Sequence, residues 1–285
     1  MSAPTYLIDS SIFIFRAWHT LPDTVTNRDG QPANAVHGFA QFVQQLLAAK
    51  PTRIAFAFDS GLGQSFRHSI YPAYKANRPP VPEDLKRQFA WCRAYVEALG
   101  LTQVTSPEYE ADDLVGTLAD RERERGQSVM IITGDKDLAQ LITPGDYWWD
   151  PHRGARLDPG GIEKRMGVRP EQVADQLALA GDKVDNIPGV PGVGMATAAR
   201  LLRRSHSLNA LLADIAAIEQ MPIRGAKRLM QLVDTHQETV RLARQLTGIH
   251  CHVELPSGLR LERGDRDAAQ LHELSTFLGL PDKLR

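Results

Sequence analysis

The sequence has few of the features that mark secreted, membrane-bound or disulfide-stabilised proteins. It contains only two cysteines in 285 residues, Cys92 and Cys251, and they show no metal-ligand spacing, which favours reduced thiols in a cytoplasmic protein. No apolar run approaches the roughly 20 residues that a membrane-spanning helix needs. The N-terminus, MSAPTYLIDSS, lacks the basic and long apolar regions of a secretory signal. We therefore expect a cytoplasmic protein without membrane contact.

The sequence also lacks a basic surplus. Lys and Arg number 33 against 34 Asp and Glu, which gives a formal net charge of -1, whereas nucleic-acid-binding domains are usually basic. A neutral total can, however, hide an acidic and a basic population of residues. The length allows one large domain or two modest ones with ample core.

Three short apolar runs reach an aspartate at their ends. TYLID ends at Asp9, RIAFAFD ends at Asp59, and SVMIITGD reaches Asp135. Apolar runs that alternate with helical patterns predict an α/β fold with a central, mostly parallel sheet flanked by helices. Ligands of such sheets bind beyond the carboxyl ends of the strands, so the three aspartates should converge on one crevice. The alternative, that Asp only ends strands as a turn former, explains one such residue better than three.

The composition changes twice along the chain. Residues 61–82, GLGQSFRHSIYPAYKANRPPVP, mix Gly, Pro, aromatics and cations without periodicity, which predicts a long functional excursion from the sheet. After Asp150 the strand signals fade and short helical patterns dominate. We predict an α/β core over residues 1–155 and a helical region over residues 156–285.

Nine carboxylates are concentrated in five short segments. They are Asp9, Asp59, Glu110, Asp112, Asp113, Asp135, Asp137, Asp182 and Asp185. Crowded carboxylates are unfavourable unless cations neutralise them, and Mg²⁺ or Mn²⁺ suits oxygen ligands. Two such ions about 4 Å apart can activate water and stabilise the leaving oxygen of a phosphodiester. Taken singly, these acids could equally be helix caps or solvated charges, and spacing alone does not decide.

Helical geometry divides the acids of the YEADD segment. Glu110 and Asp113 are three residues apart and share a helix face, as do Asp182 and Asp185. Asp112 is expected to point away from Glu110 and Asp113, which suggests contact with a metal ion only through water.

The segment NIPGVPGVG, followed by MATAARLL, resembles a helix–hairpin–helix at about residues 182–204. Its glycines allow a tight turn, and backbone amides at the start of the next helix can hold a phosphate oxygen without reading sequence. Backbone carbonyls of such hairpins can also hold a monovalent cation. An ordinary Gly/Pro loop is the alternative, although PGVPGVG is more specific than a bare GVG.

The motifs together resemble the 5′-nuclease domain of bacterial DNA polymerase I and its stand-alone relatives, within the flap endonuclease superfamily. The resemblance rests, in order, on LIDSS with FRAWHTLP, AFDSGLGQSFRHSIYPAYKANRPP, YEADDLVGTLA, TGDKDLAQL and LAGDKVDNIPGVPGVG. It covers roughly residues 5–205. It implies a PIN-like core with a helical arch at about residues 61–90, and a structure-specific flap endonuclease and 5′–3′ exonuclease that hydrolyses DNA with divalent metal. Okazaki-fragment processing and repair would be its tasks.

The resemblance also implies roles for individual residues. Asp9, Asp59, Glu110, Asp112 and Asp113 would bind the first metal cluster. Asp135, Asp137, Asp182 and Asp185 would bind the second. Lys75 and Arg78 would steady the scissile phosphate as catalytic residues. Contacts with DNA are implied for Arg16, Arg67, Tyr74, Gly192, Val193, Gly194 and Thr197, with Arg67 and Tyr74 stacking or steering the 5′ strand. Potassium would bind carbonyls of Ile187, Val190 and Val193.

The expected partners are DNA with a 5′ flap, 5′ overhang or nick, and an RNA primer on DNA. We expect a monomer that works at the bacterial nucleoid. No polymerase domain follows, so a stand-alone nuclease or a fragment is expected, and Ser10 stands where the family usually has Gly. Setting the nine acids aside leaves 25 acidic residues against 33 Lys and Arg, a surplus of eight that can serve backbone contacts. The alternatives are a non-catalytic binder of branched DNA and a PIN-type ribonuclease, which generally lacks the hairpin.

Overall fold

The computed structural model describes residues 3–60 and 65–284. Its centre is a five-stranded sheet with the order β3-β2-β1-β4-β5, and all four pairings are parallel. The strands are β1 (Thr5–Asp9), β2 (Ile54–Asp59), β3 (Thr102–Ser106), β4 (Val129–Ile132) and β5 (Tyr147–Trp149). The predicted parallel α/β sheet is therefore confirmed. The apolar runs predicted β1, β2 and β4, but not the two edge strands.

Twelve α-helices surround this sheet within the described ranges. They are α1 (Ser10–Thr20), α2 (Asn34–Ala48), α3 (Phe66–Ile70), α4 (Glu83–Ala98), α5 (Ala111–Glu124), α6 (Pro159–Met166), α7 (Val173–Ala180), α8 (Met195–Ser205), α9 (Leu208–Ala213), α10 (Ala226–Thr235), α11 (Gln237–Thr247) and α12 (Ala268–Leu278). The helices α10 and α11 are separate, because the backbone leaves helical geometry at His236.

Both faces of the sheet are buried, which explains why its inner strands are continuously apolar. Leu7 of β1 belongs to a core formed with α5, α7 and α8. Its neighbours Tyr6 and Ile8 point to the opposite face and join a core formed with α1, α2, α4 and α12. Because side chains alternate across a strand, the inner strands β1, β2 and β4 each contribute to both cores. Packing on both faces of the sheet therefore holds the carboxyl ends of the strands in place.

The chain after α11 returns to the sheet. The Ile54 amide donates a hydrogen bond to the Leu261 carbonyl (2.7 Å), and the Gly264 amide donates one to the Gly100 carbonyl (2.8 Å). The last strand, β5, ends at Trp149, and helices α6 to α12 follow it. The boundary between the α/β core and the helical region near residue 155 stays a prediction. Across the described ranges, no helix is both long and apolar enough to cross a bilayer.

Candidate active site

The carboxyl ends of three adjacent strands bring three of the predicted acids together. Asp9 ends β1, Asp59 ends β2, and Asp135 follows β4, and the sheet places β1 between the other two. Asp9 is only 5% exposed. Burial, followed by the charges of Asp59 and Asp135, raises the pKa of Asp9 to about 7. A buried carboxylate beside like charges is the environment that a bound cation would stabilise.

Hydroxyl groups orient these strand-end acids. The Thr133 hydroxyl donates to the Asp9 carboxylate (2.8 Å) and accepts from the Asp135 amide (2.9 Å). The Ser11 hydroxyl accepts from the Asp59 amide (3.1 Å). These contacts fix the acids before any ligand arrives.

The start of α5 corrects the predicted helix faces. Glu110 is the N-cap of α5 rather than a residue within it, with extended φ and ψ of -82° and 165°, and Asp113 closes a capping box by accepting from the Glu110 amide. The i,i+3 argument therefore does not apply to this pair. Besides burial, the charges of Asp9, Asp135, Asp59 and Glu110 raise the pKa of Asp112 well above the usual range. Asp112 thus lies near the acids at the strand ends, and its predicted orientation away from Glu110 and Asp113 stays a prediction.

Asp113 lies in a different environment, which argues against its predicted role as a metal ligand. Its side chain is fully buried and accepts two hydrogen bonds of 2.8 Å from the Arg67 guanidinium. The His250 amide donates a third (2.9 Å). The Arg67 guanidinium also donates to the carbonyls of Leu246 (3.0 Å) and Gly248 (2.9 Å). With these partners the carboxylate is already neutralised and enclosed.

The same contacts argue against the prediction that Arg67 steers DNA. Arg67 is 3% exposed, and its donors are engaged with Asp113, Glu110 and two carbonyls. The surroundings of Tyr74 argue against its predicted role in the same way. It is also 3% exposed, and its hydroxyl donates to the carboxylate of Glu110 (3.0 Å). Neither side chain presents a face on which a base could stack.

The cations Lys75 and Arg78 reach the crevice from the turn that follows α3. The Lys75 ammonium lies 2.8 Å from a Glu110 oxygen and 3.8 Å from an Asp185 oxygen. Arg78, whose side chain is 46% exposed, pairs with Asp185. Burial lowers the pKa of Lys75, but Glu110 and Asp185 outweigh it and raise the pKa above its ordinary value. Lys75 therefore keeps its charge at neutral pH.

Glu110 responds in the opposite direction. Burial raises its pKa, yet the charges of Lys75 and Arg67 bring the pKa below its ordinary value. Glu110 is thus ionised beside a protonated lysine.

A second group of acids lies beyond β4. Burial, then the charge of Asp135, raises the pKa of Asp137 to about 8, and its Oδ1 atom is buried without a hydrogen-bond partner. The Lys136 ammonium pairs with Asp182 (2.8 Å). Burial raises the pKa of Asp182, but Lys136 reverses this and lowers it. This group joins the motif after β4 to the loop before the hairpin, where Asp185 also lies.

The hairpin depends on a close approach between two glycines. A Cβ atom on Gly189 would lie 2.3 Å from the Gly181 amide nitrogen, so only glycine fits there. Gly192 has a positive φ of 79°, whereas Gly194 caps α8 and would leave open space around a Cβ. Val193 is buried and Thr197 lies in the first turn of α8. The start of α8 is therefore accessible, as a phosphate contact requires.

Two of the carbonyls predicted to bind potassium accept backbone hydrogen bonds. The Ile187 carbonyl accepts from the Asp182 amide (2.9 Å), and the Val190 carbonyl accepts from the Val193 amide (3.0 Å). Each oxygen retains a second lone pair. Arg16, predicted to contact DNA, pairs with Asp150 through two hydrogen bonds of 3.2 and 3.3 Å.

The donor set fits divalent ions that keep much of their water. In the described ranges, no three His, Cys, Asp or Glu side chains are arranged to enclose a metal ion by themselves. Mg²⁺ usually binds one or two carboxylates, with water and substrate phosphates completing its shell. The raised pKa values of Asp9 and Asp137 and the Asp137 oxygen that has no hydrogen-bond partner fit that manner of binding.

Sequence reasoning missed three groups that hold the acids in place. Thr133 and Ser11 orient the strand-end aspartates, and Lys136 pairs with Asp182. Thr133 and Lys136 both belong to the TGDKD motif. That motif was the sequence signal from which their roles could have been predicted. Ser10 is buried and its hydroxyl has no hydrogen-bond partner.

Comparison with known families and curated proteins agrees with this architecture. Residues 4–175 match the family described as 5'-3' exonuclease, N-terminal resolvase-like domain, and residues 168–268 match 5'-3' exonuclease, C-terminal SAM fold. DNA polymerase I of Pseudomonas aeruginosa is 42% identical over 255 residues, which are 89% of this chain and 28% of that protein. Thermostable DNA polymerase I of Thermus thermophilus is 37% identical over 272 residues, 95% of this chain and 31% of that protein. The chain spans less than a third of the length of these relatives.

Solved structures show the same fold. Bacteriophage T5 5'-exonuclease, solved with zinc ions bound, has a TM-score of 0.68 and 20% identity, covering 86% of this chain and 89% of that chain. The catalytic core of Rad2 in complex with DNA substrate has a TM-score of 0.66 and 18% identity, covering 98% of this chain and 89% of that chain. At these identities the likeness concerns the fold, and it confirms the predicted parallel sheet flanked by helices.

Proposed function

Because the chain belongs to the 5'-3' exonuclease family, we propose that it is a divalent-metal-dependent nuclease that cuts DNA at or near 5′ ends. It acts as a flap endonuclease and a 5′–3′ exonuclease. The observation that carries this proposal is the acid crevice at the carboxyl ends of β1, β2 and β4, closed on one side by Lys75 and Arg78.

Eight of the nine acids are proposed as the metal-binding set. The first group is Asp9, Asp59, Glu110 and Asp112, and the second is Asp135, Asp137, Asp182 and Asp185. Mg²⁺ or Mn²⁺ bound there supplies an activated water and neutralises charge on the leaving oxygen. Asp113 is not included, since Arg67 already neutralises it.

Lys75 and Arg78 are proposed to act on the scissile phosphate. Both are paired with carboxylates that belong to the proposed metal set, Glu110 and Asp185. With those carboxylates neutralised by bound ions, Lys75 and Arg78 would be available for the phosphate oxygens. A phosphodiester transition state carries extra negative charge, and a preorganised cation in a sheltered site stabilises it strongly.

Duplex DNA is proposed to bind at the hairpin. The amides of Gly192, Val193 and Gly194 and the Thr197 hydroxyl would contact phosphate oxygens at the start of α8. Potassium at the carbonyls of Ile187, Val190 and Val193 would bridge the same strand, and Arg16 would contact DNA once released from Asp150. Such backbone contacts carry no sequence preference.

The proposed substrates are DNA with a 5′ flap, a 5′ overhang or a nick, and RNA primers on DNA. These substrates arise in Okazaki-fragment processing and repair in the bacterial cytoplasm. We propose that the chain acts on them as a monomer.

The test is cleavage of a 5′-labelled flap by the purified chain with Mg²⁺, before and after EDTA. We expect products only with the metal. Lys75→Ala should slow single-turnover cleavage by on the order of 100-fold and change the Kd for the flap little. Lys227→Ala on α10, which pairs with Glu219, is the control and should change neither quantity. Absence of metal-dependent cleavage by the unaltered chain would overturn the proposal.

A further inference from the structure

The turn that carries Lys75 and Arg78 is attached to the loop that carries Asp182 and Asp185. Two asparagine side chains make this attachment, one from each loop. The Asn186 amide group donates to the Ala73 carbonyl (2.7 Å), and the Asn77 amide group donates to the Lys183 carbonyl (2.8 Å). We call residues 71–78 the cationic turn and residues 182–187 the acidic loop.

We propose that Asn77 and Asn186 form a reciprocal clamp that positions Lys75 across the crevice from Asp185. This inference rests on the proposed function for its consequence in catalysis. Neither amide group is recorded in contact with the acids or with the cations, so both are positioning residues. Each amide group instead donates to a backbone carbonyl of the opposite loop.

The backbone on both sides of the clamp is in an uncommon conformation. Lys75 has a φ of 54° and Asn186 a φ of 55°, in the left-handed region that non-glycine residues rarely adopt. Asparagine tolerates this region better than lysine. Such a conformation persists only where neighbouring contacts hold it. The Lys75 amide donates to the Asp185 carbonyl (2.9 Å), which ties the strained residue directly to the acidic loop.

The consequence is a fixed position for the Lys75 ammonium. It lies 2.8 Å from Glu110 and 3.8 Å from Asp185, and Glu110 is itself fixed at the N-cap of α5. The acidic loop leads directly into the hairpin that is proposed to hold duplex DNA. The clamp therefore connects the duplex-binding end of the molecule with the cation that acts on the phosphate.

The two halves of the clamp differ in burial. The Asn186 hydrogen bond is partly buried, whereas the Asn77 hydrogen bond is exposed. Water competes more strongly for an exposed hydrogen bond. Loss of the Asn186 amide should therefore have the larger effect.

The first test is hydrogen exchange on the metal-free protein, which does not depend on nuclease activity. The variants are Asn186→Gly, which keeps the left-handed backbone without the amide group, and Asn77→Ala. Asn186→Gly should speed exchange across the cationic turn, and Asn77→Ala should speed it across the acidic loop. Asn209→Ala, an exposed position on α9, is the control and should change neither. If each substitution speeds exchange only in the loop that contains the substituted residue, there is no clamp.

The second test measures flap cleavage with Mg²⁺. Asn186→Gly should slow the single-turnover rate about 10-fold, because small displacements of a reacting group are costly, while the Kd for the flap stays within about twofold. In a Lys75→Ala background the same substitution should change the rate less than about twofold, since the group it positions is gone. Full additivity of the two substitutions would overturn the positioning role. If the unaltered chain does not cut the flap, the proposed function is rejected. The hydrogen-exchange experiment alone then decides whether the clamp exists.

Discussion

Asp112 and Asp113 are adjacent in sequence but have opposite surroundings. Asp113 is enclosed by Arg67 and by backbone amides, and it caps α5. Asp112 lies near Asp9 and Asp59, whose charges help to raise its pKa. One acid therefore stabilises the fold, whereas the other is left for a ligand.

This contrast predicts opposite effects for two conservative substitutions. Asp113→Asn should destabilise the protein by about 3 kcal/mol, because the buried Arg67 guanidinium loses its closest charged partner and keeps only the longer contact with Glu110. Asp112→Asn should leave stability unchanged or raise it, and should slow metal-dependent cleavage by on the order of 100-fold. Urea unfolding and single-turnover flap cleavage measure the two effects.

A third acid on α5 provides the control. Asp120 pairs with Arg123 near the surface, so Asp120→Asn should change stability by less than about 1 kcal/mol and cleavage hardly at all. Equal stability losses at positions 112 and 113 would show that the two environments have been assigned wrongly.

Asp9 predicts a pH dependence for the metal-free protein. Its pKa is raised from 3.8 to about 7 on folding, so the folded state binds more protons than the unfolded state between these values, and stability from this group falls as pH rises across that window. Asp9→Asn removes the effect. In EDTA at pH 8 the variant should exceed the unaltered protein by about 2 kcal/mol or more, and near pH 4 the difference should vanish.

Magnesium should reduce this difference at pH 8, because ions neutralise the crowded acids. Denaturant unfolding at several pH values, with EDTA or Mg²⁺, makes the measurement. A difference that stays constant from pH 4 to pH 8 would rule out the proposed titration of Asp9.

At the scale of elements, the glycines of the hairpin have different roles. Gly189 is required by packing, since a Cβ there would meet backbone atoms at 2.3 and 2.4 Å. Gly194 is not, because a Cβ there would have no neighbour within 4 Å and its φ is -99°. Gly194 leaves the start of α8 open to a ligand.

Two alanine substitutions separate these tasks. Gly189→Ala should lower the melting temperature by several degrees, because the two backbone segments must move apart. Gly194→Ala should leave the melting temperature within about 2 degrees and weaken binding of duplex DNA, because its methyl group crowds the phosphate site. Thermal unfolding and fluorescence anisotropy with a short duplex measure these outcomes; a reversed pattern would contradict the assignment.

The elements also show what sequence alone could predict. The strands β1, β2 and β4 were recognisable because both of their faces are buried and their sequences are continuously apolar. The edge strand β3, TQVTS, is only partly buried, so it has no such signal. The helix faces at Glu110 were misread because the residue is a cap, and capping depends on hydrogen bonds between Glu110 and Asp113 that spacing does not reveal.

In the candidate site, too, the sequence predicted some features and not others. The motifs supplied the nine acids, Lys75 and Arg78. They did not separate Asp113 and Tyr74, which are buried, from residues that face the crevice. That distinction depends on residues far away in sequence, such as Leu246, Gly248 and His250, which approach only after the chain has returned to the sheet.

At the scale of the whole molecule, the near-neutral charge conceals a division. The proposed metal acids converge on one edge of the sheet, whereas exposed cations such as Arg200 and Arg204 occupy α8 beyond the hairpin. Bound cations would cancel the acidic part and leave a basic surplus for the DNA backbone. A net charge of -1 is thus compatible with a nucleic-acid-binding enzyme.

The central claim is that the crevice at the strand ends binds the divalent ions used in cleavage. The most direct measurement is an anomalous difference map from crystals of the unaltered chain soaked in Mn²⁺. We predict manganese peaks within coordination distance of Asp112 and of acids at the strand ends, and none beside the Arg67–Asp113 pair. A map with no peak in the crevice, or with an ion bound by Asp113, would contradict the account.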